Sequence, residues 1–162
     1  MLLLHFPTST CKKDWETLVE LYNNNRNKIG HIGVSKYDVE DLKQLESSKM
    51  KPEYNQIELS PFFVRNELVQ YCHDNNIKII AYRSLTNAKK LNDITIMANK
   101  CQISSAELML KWVLKKGFHV IPKSENVDHL KQNLNVKNDL SEDDVCELDK
   151  CNAGFQTVNV DR

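Results

Sequence analysis

An excess of charge of either sign is missing from this sequence: 22 Lys and Arg face 22 Asp and Glu, giving a formal net charge of zero. No basic stripe is present to recruit nucleic acid, and little repulsion opposes self-association. The five cysteines, Cys11, Cys72, Cys101, Cys146 and Cys151, include no CxxC pair, and their odd number leaves no complete set of intramolecular disulfides. They read as small hydrophobes or exposed thiols. The five histidines form neither HxH nor HExxH, so no metal site is expected. No GxGxxG follows a strand, which removes the signature of a Rossmann dehydrogenase. Long hydrophobic runs are lacking as well. MLLLHFP at 1–7 is too short for a bilayer span and has neither the charged start nor the long apolar stretch of a signal peptide. No membrane association is expected, and the cytoplasm is the expected location.

What is present is the composition of one ordinary domain, 41% apolar and 27% charged over 162 residues, so the chain has material for a core. LLLHF at 2–6 reads as a short buried strand stopped by Pro7. Trp15, Leu18, Val19 and Tyr22 recur at helical spacing, and the polar run NNNRN at 23–27 ends that helix. IGHIGVS at 29–35 is strand-like, with Gly30 and Gly33 permitting close backbone approach. Asp38 and Asp41 suit the start of a helix carrying Leu42 and Leu45 inward. EYNQIEL at 53–59 is the next strand, SPFF a loop, and Leu68, Val69 and Cys72 mark a helix. IKIIAY at 77–82 is a strand buried on both faces, because Ile79, Ile80 and Ala81 leave neither face polar.

Helices are expected over 91–100 and 104–116, the second opened by Ser104 and Glu107 at capping-box spacing and closed by Gly117. FHVIP at 118–122 is the last strand. Pro122, Lys123 and Ser124 then lead into a short amphipathic helix, a βα-loop with a cation at a helix entrance where an anion such as phosphate can be held. Ser141 and Asp144 open a final helix carrying Val145 and Leu148. Five strand-then-helix units require parallel strands. A doubly wound sheet and part of a (β/α) barrel both fit that pattern.

Five blocks, LLLHFP at 2–7, IGHIGVSKY at 29–37, YNQIELSP at 54–61, IIAYRSL at 79–85 and IPKSENVDHLKQN at 121–133, resemble successive motifs of the aldo-keto reductases, in family order and at suitable separations. The resemblance implies a partial (β/α)8 barrel entered at its fourth strand, with about five βα units whose strands follow in sequential order. It covers an incomplete domain at 1–154, followed by a terminal tail at 155–162. In activity it implies NADP- or NAD-dependent reduction of a small aldehyde or ketone.

The family catalyses hydride transfer with a tyrosine as general acid, assisted by lysine, aspartate and histidine. His5 matches the histidine, and a buried core residue is its alternative reading. The other three positions correspond to sequence before Met1, so the chain alone is expected to lack appreciable turnover. Among the cofactor positions, Ser35 and Gln56 match the residues that bind the nicotinamide carboxamide, and Tyr82 the aromatic under the ring. Lys36 replaces a usual asparagine, and Arg83 and Ser84 alter the following phosphate loop, where a bulky cation either recruits pyrophosphate or obstructs it. Lys123, Ser124 and Asn133 match the adenosine end. There the family arginine is His129, mostly neutral near pH 7 where arginine offers a permanent fork, and the usual Glu-Asn pair is Gln132 and Asn133. A remnant, a longer product beginning upstream, and a partial barrel completed by another subunit all remain open, as does a non-catalytic interaction fragment pairing through open sheet edges. Self-association is expected of such edges.

Overall fold

A computed structural model describes residues 1–85 and 92–154. Five strands alternate with helices there: β1 (Leu2–Leu4), β2 (Ile32–Ser35), β3 (Tyr54–Glu58), β4 (Lys78–Tyr82) and β5 (His119–Val120). Helices α1 (Cys11–Asn24), α2 (Val39–Lys43) and α3 (Asn66–Asp74) follow the first three strands. Between β4 and β5 lie α4 (Asn92–Lys100) and α5 (Ser105–Lys115), and α6 (Val127–Leu134) and α7 (Glu142–Asp149) follow β5. The strands make one parallel sheet in the order β1-β2-β3-β4-β5. That is the sequential order of a barrel segment; a doubly wound sheet would reverse direction partway. Thr86, residue 91 of the expected helix and the terminal tail 155–162 lie outside the described residues.

The chain divides into two compact units. The first comprises Met1–Ile57 and Asn66–Ile80. In it, Trp15, Leu18 and Tyr22 of the expected α1 stripe are buried while Val19 is half-buried, and Trp15 Nε1 donates to the Met50 carbonyl at 2.7 Å. β2 is buried along its whole length. Gly33 is required there: a Cβ at that position would lie 2.4 Å from the Tyr54 carbonyl oxygen and 2.9 Å from Leu3 Cδ2. Gly30 has open space around it, so close approach explains only one of the two glycines. Asp38 and Asp41 form the reciprocal capping box that starts α2. The registers Leu4 opposite Val34 and Ser35 opposite Gln56 bring the C-terminal ends of β1, β2 and β3 level.

The second unit comprises Glu58–Arg65 and the described residues from Ala81 onward. Its centre is α5, whose Leu108, Met109, Leu110, Trp112 and Val113 are all buried. Asp149 of α7 accepts from Trp112 Nε1 at 2.8 Å and from Lys116 Nζ at 2.6 Å, so the buried indole N–H is satisfied by a charged acceptor. Ser104 caps α5 through the Glu107 N–H, and Gly117 takes the left-handed conformation (φ 80°) that ends it. Ser141 and Asp144 close the capping box of α7.

Three expectations shift. LLLHF, expected as a buried strand, gives the three-residue β1 with Leu2 exposed and Leu3 and Leu4 only half-buried, because β1 is an edge strand paired on one side alone. The last strand spans only His119–Val120 in place of 118–122, because Pro122 has no N–H to continue the ladder and Ile121 is exposed. Helix α6 has the expected amphipathic pattern but buries no residue, leaving Val127, Leu130 and Leu134 exposed. Among the described residues no helix is long and apolar enough to cross a membrane. Nor do His, Cys, Asp and Glu gather there in any group of three or more suited to a metal ion.

Candidate functional site

In the first unit the level strand ends bring His5, Ser35, Lys36 and Gln56 together. Ser35 is buried and donates its hydroxyl proton to the Gln56 carbonyl at 3.0 Å. The Lys36 N–H donates to the same carbonyl at 2.8 Å. With its proton committed, the Ser35 oxygen retains lone pairs and can accept from an amide N–H. Beneath this turn the fully buried Asn55 donates from Nδ2 to the Tyr37 carbonyl at 2.8 Å, fixing the chain just past Ser35. Asn55 is a positioning residue the sequence reading passed over; a polar side chain between strand residues destined for burial was its signal.

His5 is exposed, so it is not a core residue. Its Nε2 lies 3.3 Å from Lys36 Nζ. An ammonium can only donate, so in this contact the imidazole Nε2 accepts and a neutral ring carries its proton on Nδ1. Lys36 reaches this position from a left-handed backbone (φ 61°), a conformation asparagine adopts more readily than lysine.

In the second unit, Tyr82 is half-buried at the end of β4. Burial pushes its hydroxyl pKa up, the nearby Glu58 carboxylate adds to that, and Arg65 and Arg83 pull the other way. The phenol is therefore neutral, as a flat stacking surface requires. Glu58 is itself buried, while Arg83 is exposed with a left-handed backbone (φ 55°). Ser84 is buried and donates to the Leu59 carbonyl at 2.9 Å, so this departure from the family pattern ties the loop after β4 to the residue that directly follows β3.

The same unit holds a cleft of about 180 Å³ whose lining includes Ser104, Glu107, Lys123, Ser124, His129 and Asn133. The three residues expected at an adenosine site therefore share one concavity. Its volume is below the roughly 300–1,000 Å³ of sites that take a whole drug-sized ligand, so it suits one end of a larger molecule. Asn133 Nδ2 is shut off from solvent with no partner among the described residues, an unmet donor beside the cleft. Ser104 and Glu107 are lining residues the sequence reading missed, since its only signal there was the capping pattern.

The anion-holding entrance to α6 is more occupied than its sequence suggests. Asn126 Oδ1 accepts from the N–H groups of Asp128 at 2.8 Å and His129 at 3.3 Å. Lys123 Nζ pairs with Glu125 at 2.8 Å, both side chains lying in solvent.

The sequence model of the Aldo/keto reductase family matches residues 1–153. The chain belongs to that family. An uncharacterised oxidoreductase of Schizosaccharomyces pombe is 38% identical over 82% of this chain and 48% of its own length. Glyoxal reductase of Bacillus subtilis is 32% identical over 94% of this chain and 56% of its own. Among solved structures, Gox0644, determined as a mutant in complex with NADPH, superposes with a TM-score of 0.85 and 31% identity over 93% of this chain and 58% of its own. This aldo/keto reductase chain thus spans about half the length of the curated relatives it matches.

Proposed function

We propose that this chain carries cofactor-binding residues of an NAD(P)H-dependent carbonyl reductase acting on small aldehydes or ketones. Bound there, the reduced nicotinamide supplies the hydride that turns a carbonyl into an alcohol. Ser35 accepts from the carboxamide N–H and Gln56 completes its recognition, while Tyr82 offers its ring face to the nicotinamide. Lys123, Ser124 and Asn133 serve the adenosine end. The observation that carries this reading is Asn133: a buried, unmet amide donor beside a cleft lined by the expected residues suits a ring nitrogen of adenine.

His5 orients the carbonyl oxygen. Engaged by Lys36 through Nε2, it makes a poor proton donor, and general-acid help is what the developing alkoxide needs. In this reading the chain alone binds the cofactor without appreciable turnover, since His5 held in this way is a weak general acid. The exposed Val127, Leu130 and Leu134 of α6 support association with a second copy or a complementing subunit. A cytoplasmic location accords with this chemistry.

Titration with NADPH and NADH, followed by an assay with small aldehydes, tests both parts. Saturable binding weakened in Gln56→Ala, without stoichiometric alcohol formation, is expected. Binding unaffected by Gln56→Ala would remove the carboxamide assignment, and alcohol formation by a monomer, lost in His5→Ala, would show a donor not recognised above.

A further inference from the structure

We propose that the cleft beside α6 reads the adenosine ribose as a free 2′-hydroxyl, with Glu107 as the discriminating residue, so that the chain favours the NAD form of the cofactor over the 2′-phosphorylated form. The inference rests on the cofactor reading above and concerns its adenosine end alone. Recognition of a 2′-phosphate calls for converging cations, best supplied by arginine forks. This cleft is lined by one lysine, one glutamate and one histidine, with no arginine among its lining residues. The lysine is not a free cation, because Lys123 is 2.8 Å from Glu125. The α6 entrance offers no substitute: Asn126 already takes the Asp128 and His129 N–H groups, and the Asp128 side chain adds negative charge to the first turn.

Glu107 supplies what a hydroxyl wants. It lines the cleft, and its ion pair with Lys111 is long, 3.5 Å, so its two oxygens keep acceptor capacity. Lys111 is itself held by Asp139 and is turned to that partner. A carboxylate accepts from a ribose 2′-hydroxyl, as acidic residues do in NAD sites of another fold, and repels a phosphate in the same place. Asn133 meets the adenine, which both cofactor forms share, and does not discriminate.

Calorimetric titration of the full chain with AMP and with adenosine 2′,5′-bisphosphate isolates the 2′ position, since the two probes differ only in the 2′-phosphate and neither contains nicotinamide. AMP is expected to bind about tenfold tighter, the scale of one half-exposed charge repulsion. In Glu107→Gln, checked for fold by circular dichroism, the ratio is expected to fall to about one. A second variant, Glu125→Gln, releases Lys123 and is expected to strengthen bisphosphate binding a few-fold, roughly the worth of an exposed pair. Tighter binding of the bisphosphate by the unaltered chain, or an unchanged ratio in Glu107→Gln, overturns the assignment and leaves the cofactor reading standing. Failure of both probes to bind also overturns it; if NADH and NADPH fail too, the cofactor reading falls with it.

Discussion

Position 36 shows how one substitution changes both backbone energy and chemistry. The left-handed conformation at Lys36 (φ 61°) costs most L-residues about 1–2 kcal/mol, and asparagine suffers least among those with side chains. Against this, the exposed contact between Lys36 and His5 is worth no more than a few tenths of a kcal/mol. Lys36→Asn is therefore expected to stabilise the chain by about 0.5–1 kcal/mol, read as a higher urea midpoint at unchanged slope. A lower midpoint would show that the Lys36–His5 contact outweighs the strain. The substitution was visible in the sequence, but its consequence was not, because reaching His5 depends on β1 and β2 lying in register. Gly33 and Gly30 make the same point. Both fall in one strand-like run, and only the approach of Tyr54 and Leu3 singles out Gly33.

Elements announced by local chemistry were legible. The pairs Asp38 with Asp41 and Ser141 with Asp144 form the expected boxes, and Gly117 ends α5. Elements whose limits depend on neighbours were less so: β5 ends early beside Pro122, and α6 keeps its apolar stripe in solvent. The connection from α6 to α7 carries a pH-sensitive tie to α5. Lys111 donates to Asp139, which holds the Asp139 carboxyl below its ordinary value of 3.8 and raises the Lys111 amine above 10.5. A depressed carboxyl contributes stability above its unfolded pKa and loses it as pH falls through the folded value. A raised amine contributes below its unfolded pKa and loses that contribution as pH climbs through the folded one. Asp139→Asn is accordingly expected to lower Tm at neutral pH, with the gap to the unaltered chain closing as pH drops below about 4. A gap that stays constant from neutral pH to pH 3 would deny the pair this role.

For the molecule as a whole, five ordered sequence blocks were enough to indicate the family and a sequential parallel sheet, because parallel βα units allow few alternatives. The cleft was only half legible: Lys123, Ser124 and Asn133 share one motif, whereas Glu107 comes from α5, and folding alone gathers them. The central proposal is that this chain, spanning about half of its relatives, binds a nicotinamide dinucleotide. An amide NMR titration with NADH tests it most directly. The account predicts that signals at or next to Ser35, Gln56, Tyr82, Ser124 and Asn133 shift and saturate as NADH is added. Shifts confined to other residues, or shifts that never saturate, would contradict it.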